Sequence, residues 1–287
     1  MASGRTPVFD THVHIWSDDR QAYPQVPGME RPLSHKGSVE LLISLMDSAG
    51  VDHALLVQTP FYGEDNRYFV DSMRRFPDRF VGLGYLENPL AADAPERLSR
   101  QTQEDGFHGV RLHLIDERVD AGVQQGAADA LFRRARQLGV PVQFLNRVPT
   151  HPTIAGVADR FPDLVIVVDH LGHPYPAEAP TFGSSTTFFT LADRPNVYVK
   201  VSNHVMSSGG PYPWADLHVY QQRAIDTFGP RRLMWGSNWP MQAPEVAYAD
   251  RLKAVRDYLP AFAALSADDQ SWLLGRTARS IWAPAGR

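Results

Sequence analysis

Cysteine is absent from the 287 residues. Disulfide scaffolds, cysteine nucleophiles and thiolate metal sites are therefore excluded, and the absence agrees with a cytoplasmic location. No charge of one sign dominates. Lys and Arg total 28 against 32 Asp and Glu, a net charge of −4, so no basic field exists to hold nucleic acid or an anionic membrane. Long apolar runs are also missing: no stretch reaches the roughly 18 residues of a membrane-spanning helix. The opening segment lacks the apolar core of a secretory signal. The hydrophobic share, 43%, is too high for a chain that stays disordered and supports a large core.

Short apolar, β-branched runs recur along the chain. They predict strands at Val8–His14, Ala54–Thr59, Phe80–Tyr85, Gly109–Leu114, Val142–Asn146, Leu164–Asp169, Val197–Val201 and Leu233–Gly236. Between them, Glu40–Ala49, Ala127–Leu138 and Ala247–Tyr258 carry apolar residues at spacings of three and four, the mark of surface helices. Gly or Pro punctuates the helix-to-strand joints, as at Gly50 and Gly139. Strand and helix alternating in this way predict a (β/α)8 TIM barrel, with 1–287 as one domain. A dinucleotide-binding sheet would need Gly-x-Gly-x-x-Gly after the first strand, where this chain has Asp10-Thr11-His12-Val13-His14.

In such a barrel, function gathers at the carboxyl ends of the strands. His12, His14, His113, His170, His173 and His204 fall at or just past those ends, together with Arg111, Gln143, Asn146, Arg147, Asp169, Lys200, Ser202 and Asn238. Residues two apart on a strand face the same side, so His12 and His14 can both enter the barrel mouth. There they suit a metal or a bound carbonyl. His170 stands where polarity resumes after the apolar run Leu164–Val168. Arg111 shares a strand face with His113. A barrel arginine must meet either a ligand or an internal partner, so it is a candidate for bidentate capture of a carboxylate or for a structural ion pair. Lys200 poses the same choice, with Asp169 or Asp10 as its partner.

At these residues the sequence resembles the amidohydrolase superfamily, in its amidohydrolase-2 branch. The matching pieces are Phe9-Asp10-Thr11-His12-Val13-His14, Asp65-Asn66, Phe76–Gly82, Gly109-Val110-Arg111, Val168–Gly172, Val197–Ser202 and Met234–Pro240. They follow the family's order along nearly the whole chain. The branch holds 2-pyrone-4,6-dicarboxylate lactonase, sugar-acid lactonases and muconolactone-type hydrolases, and the superfamily also includes decarboxylases. The resemblance implies a (β/α)8 barrel that hydrolyses an ester-like carbonyl. Two positions depart from the pattern. Strand 4 offers Arg111 and His113 where the superfamily often has a carboxylated lysine or a glutamate, which argues against a binuclear metal site. Strand 8 ends in Asn238 where an aspartate usually takes a proton from the attacking water. An amide has no protonation equilibrium near neutrality and cannot do so.

The resemblance therefore implies a hydrolase that opens a small carboxylated lactone. His12, His14, His170 and Asn238 would be catalytic, and Arg111, Arg147, His113, Ser202 and Tyr62 would contact an anionic substrate. Tyr23 and Ser237 are further hydroxyl donors for the pocket. Either no cofactor is needed, or one divalent ion such as zinc sits on His12, His14 and His170. Asn238 has three readings: a natural variant whose base is another residue, an Asp→Asn change that traps substrate, or the mark of a barrel that only binds. A metal-dependent decarboxylase is the alternative enzyme.

Overall fold

The computed structural model describes residues 7–31, 36–202, 204–241 and 245–282. Its eight strands are β1 (Phe9–Val13), β2 (His53–Val57), β3 (Phe80–Tyr85), β4 (Val110–His113), β5 (Val142–Leu145), β6 (Ile166–Val168), β7 (Val197–Val201) and β8 (Leu233–Trp235). They form one parallel sheet in sequence order, with helices on the connections. All eight expected strands are present, each within a few residues of its expected bounds. The helices Val39–Ala49, Asp129–Leu138 and Tyr248–Arg256 stand where the apolar spacing put them. Gly50 and Gly139 end two of these helices at φ 71° and 68°, a left-handed cap that a side chain would strain.

Two apolar layers hold the barrel. Phe9, Leu55, Val57, Leu83, Val167, Met234 and Trp282 fill the amino-terminal half of the interior. A larger layer, which includes Leu42, Leu56, Phe132, Phe144 and Val168, lies between sheet and helices. Alternation along each strand sorts residues between the two. Helical residues Ala267–Trp282 close the amino-terminal end and bring Trp282 under the interior plug. The expected tail beyond lies outside the described residues.

The sheet is continuous from β1 to β8, but the closing seam is made differently. Between β8 and β1 stand one isolated bridge, Val13 to Trp239, and the bonds Asn238 N–H to His12 O (2.7 Å) and His14 N–H to Trp239 O (2.8 Å). Thr11 Oγ1 donates to the Trp235 carbonyl at 2.7 Å, and Asp10 adds to the seam. Its Oδ1 accepts from the N–H groups of His12 (3.1 Å) and Ser237 (2.8 Å), and its Oδ2 accepts from the Tyr248 hydroxyl (3.0 Å). Among the described residues no helix is long and apolar enough to cross a membrane.

Candidate active site

An irregularity in β1 builds the site. Phe9 pairs with His53 and Asp10 with Ala54, but Val13 pairs with Leu56, so three steps on β1 oppose two on β2. The side-chain alternation is reset there. Phe9 belongs to the interior plug and Asp10 reaches the surrounding helix, yet His12 and His14 both enter the interior. Gly236 on the neighbouring strand makes room, because a Cβ there would sit 2.9 Å from that of His12.

His12 is the centre of the cluster. Its Nε2 lies 3.2 Å from His14 Nε2, its Nδ1 lies 3.3 Å from Asp169 Oδ1, and its ring centroid is 4.5 Å from that of His170. His14 Nδ1 donates to the Val57 carbonyl at 2.8 Å, which leaves its Nε2 as a lone pair. His170 Nδ1 is 2.7 Å from Ser202 Oγ. Asp169 Oδ2 takes both Nε and Nη2 of Arg111 at 2.8 Å. Lys200, fully buried, donates to the Thr11 carbonyl at 2.5 Å and lies 3.4 Å from His12 Nδ1 and 4.0 Å from Asp169 Oδ1. His170, His173 and Asn238 hold positive φ values of 55°, 55° and 56°, rare for side-chain-bearing residues and concentrated at functional strand ends.

Burial sets the charges. It drives His12 well below the ordinary histidine range, helped by the Lys200 charge, and it drives His170 down with the His12 charge. His14 falls to about 3 through burial and the Arg111 charge, and so does His113. Burial also brings Lys200 down to about 7. For Asp169 burial acts upward, but the charge of Arg111, bonded to it through two nitrogens, overcomes it and holds the carboxyl well below its usual range. The mouth near neutral pH is thus a set of neutral imidazoles around one carboxylate and its cations.

The imidazole protons do not close on themselves. With His14 protonated at Nδ1, a neutral His12 must face either His14 Nε2 or Asp169 Oδ1 with a lone pair. A cation between the two Nε2 atoms removes that conflict. Two nitrogens bound tetrahedrally to zinc lie about 3.4 Å apart, close to the observed 3.2 Å. Each Nδ1 meets an oxygen, as the outer partners of a metal-bound histidine do. The residues therefore fit one divalent ion. Among the described residues, the donor atoms that lie within 4.8 Å of one another belong to His12, Asp169 and His170. Asp169 thus joins the expected ligands His12, His14 and His170 as a further candidate donor.

Several expected substrate contacts meet other partners. Arg111 forms the buried ion pair with Asp169, the structural alternative left open by the sequence. Ser202 is bonded to His170. The Tyr62 hydroxyl accepts the Ser17 N–H at 2.8 Å, the Tyr23 hydroxyl donates to Asp71 at 2.8 Å, and Ser237 Oγ accepts the Trp239 N–H at 3.0 Å. Arg147 is exposed, at the start of the turn Val148–Thr150. His113 remains available: its Nε2 is buried without a partner, as are both side-chain polar atoms of Gln143 and of Asn146. Sequence reasoning placed Asp169, Lys200, Gln143 and Asn146 at strand ends without assigning them roles. The hydropathy break after Val168 was the available signal for Asp169.

The comparisons agree with this geometry. L-fucono-1,5-lactonase of Burkholderia ambifaria is 28% identical over 239 residues, 81% of this chain and 80% of that one. A 2-pyrone-4,6-dicarboxylate hydrolase of Comamonas testosteroni is 25% identical over 283 residues, 95% and 89% of the two chains. A crystal structure of an amidohydrolase from Burkholderia multivorans with bound zinc superposes with a TM-score of 0.78 at 25% identity, covering 96% of this chain and 99% of that one. The family description "Amidohydrolase" (Amidohydro_2) matches residues 9–283, the strands and the mouth residues included. The chain belongs to the amidohydrolase family.

Proposed function

We propose that the chain hydrolyses the ester bond of a small polar lactone. The carrying observation is the meeting of three neutral histidines, His12, His14 and His170, with Asn238 at one barrel mouth. The His12 Nε2–H polarises the lactone carbonyl, and the fixed dipoles of a buried site make this effective. A divalent ion held by His12 and His14 would supply Lewis-acid polarisation of the same oxygen. Asn238 orients the attacking water by hydrogen bonds. His170, neutral and held by Ser202, takes the water proton as the new C–O bond forms. The ring C–O bond then breaks, and the leaving alkoxide recovers a proton to give a hydroxy acid. The same reading makes this a cytoplasmic enzyme with a small-molecule substrate and no nucleic-acid or membrane partner.

A panel of lactones followed with a pH indicator tests the proposal, run on this protein and on Asn238→Asp. Ring opening with release of one proton per turnover is expected. Asn238→Asp should change kcat little, because His170 already serves as base. A gain on the order of 10²-fold would move the base to position 238. No opening of any lactone by either form would defeat the hydrolase reading.

A further inference from the structure

Beyond the strand ends, the segment that follows β1 presents two arginines with no acidic partner. Arg31 lies over the mouth sector formed by the ends of β1, β2 and β8. Its guanidinium carbon is 4.3 Å from the Phe61 ring centroid and 5.8 Å from that of Trp16, and its Nη2 is 3.0 Å from Met241 Sδ. Trp16 stands two residues past His14, and Met241 three past Asn238, whose carbonyl accepts the Met241 N–H at 3.0 Å. Arg20 is tied to the same place, because its Nη2 donates to the Arg31 carbonyl. Arg31 is braced by its own N–H donating to Gln25 Oε1 at 2.7 Å, and the segment is pinned by Val26 N–H to the Phe61 carbonyl at 2.7 Å.

The Nε atoms of Arg20 and Arg31 are buried and lack a hydrogen-bond partner. Among the described residues, no carboxylate pairs with either guanidinium. The nearby acids are engaged elsewhere: Asp18 with Lys36, Asp19 with the N–H groups of Gln21 and Ala22, and Glu30 with the Gly28 N–H. Burial with no opposing charge lowers the pKa of Arg31. The unmet groups of the two guanidiniums are donors, and Arg31 packs on an aromatic floor, so the missing ligand is an acceptor-rich anion. At the strand ends, by contrast, the internal cation Arg111 already holds Asp169.

We infer that Arg31, supported by Arg20, is a specificity-determining residue that binds a carboxylate carried by the lactone ring. The inference rests on the lactone-hydrolase reading and moves substrate charge recognition from Arg111 to the segment after β1. Guanidinium groups suit this role because their planar fork matches carboxylate geometry, and Arg31 is preorganised by its packing on Phe61 with Trp16 alongside.

The test compares a five-membered lactone carboxylate with its primary amide, and adds calorimetric binding of tetrahydrofuran-2-carboxylate, which has no bond to hydrolyse. The acid should be preferred. Arg31→Gln should lower the acid-over-amide ratio of kcat/KM by about ten-fold or more, chiefly through KM, with Arg31→Lys restoring part of it. Affinity for tetrahydrofuran-2-carboxylate should fall by a similar factor. An unchanged ratio, or equal losses on both substrates, would overturn the inference and leave Arg31 as packing between Trp16 and Phe61. If Arg31→Gln melts early, Arg20→Gln carries the same expectation at smaller size. Should no lactone open while carboxylate binding still depends on Arg31, the hydrolase reading fails and the subsite stands. Absence of any Arg31-dependent binding overturns the subsite whatever the turnover.

Discussion

Asp10 and Asp169 are both fully buried and both touch His12, yet they are held in opposite ways. Asp10 lies at the outer side of the β8–β1 seam, and the hydrogen bonds that His12, Ser237 and Tyr248 give it come from neutral donors, with Lys200 and Arg251 near enough to feel its charge. Burial outweighs those hydrogen bonds and raises its pKa to about 6. Asp169 points inward beside Arg111, Lys200 and His12, and the Arg111 charge is the largest influence that reverses the effect of burial. The difference shows that neighbour charge, not depth, decides whether a carboxylate in this barrel is structural glue or the anionic centre of a site.

The strongest way to break this contrast is to neutralise the inner carboxylate. Asp169→Asn leaves Arg111 and Lys200 in the interior without their anion and should cost about 3 kcal/mol of stability in urea unfolding, because an orphaned buried charge is expensive. The same change at Asp10 should do little harm at pH 7, since an amide keeps the bonds from His12 and Ser237. Equal losses at the two sites would end the distinction.

Next in size is the pH dependence. An acid raised from 3.8 to about 6 on folding contributes stability that is complete below pH 3.8 and lost as pH climbs through about 6. For Asp10 the two-unit shift corresponds to about 3 kcal/mol. Urea midpoints measured from pH 4 to 7 should show this decline, and Asp10→Asn should flatten it. Asp169 acts with the opposite sign: its contribution is present above 3.8 and is lost only as pH falls through its lower folded value.

Activity sharpens the picture further. With His170 held below the ordinary histidine range, the acid limb of kcat should have its midpoint below about 6.5. A midpoint at or above that value would remove His170 as the base. The smallest effect concerns its support. Ser202→Ala removes the 2.7 Å partner of His170 Nδ1 and should lower kcat several-fold, on the order of 1 kcal/mol, with little change in KM. An unchanged kcat would show that packing alone orients the ring.

A cavity of about 530 Å³ at the opposite end extends the contrast to the whole molecule. It is lined by Phe9, Phe80 and Trp282 and by the polar side chains of His53, Arg79, Asp105 and His108, apart from the histidine cluster. The two ends differ in that the carboxyl-end polar groups are buried together at the strand ends, where the loops that follow each strand cover them.

By itself the sequence determined the architecture. Apolar strands and amphipathic helices alternate eight times, and each pattern follows from local burial of one face. It also put His12, His14, His170 and Asn238 at one end of the barrel, since they stand where apolar runs stop. Only the tertiary structure decided the partners. The irregularity in β1, which turns Phe9 and His12 to the same side, leaves no mark in residue alternation. The pairing of Arg111 with Asp169 joins residues 58 apart on β4 and just past β6. Arg31 sits in an irregular segment without periodicity, so its place over Trp16 and Phe61 depends on how three strand ends converge. Burial pattern is a local property of a chain, whereas the charge that a buried group meets depends on contacts distant in sequence.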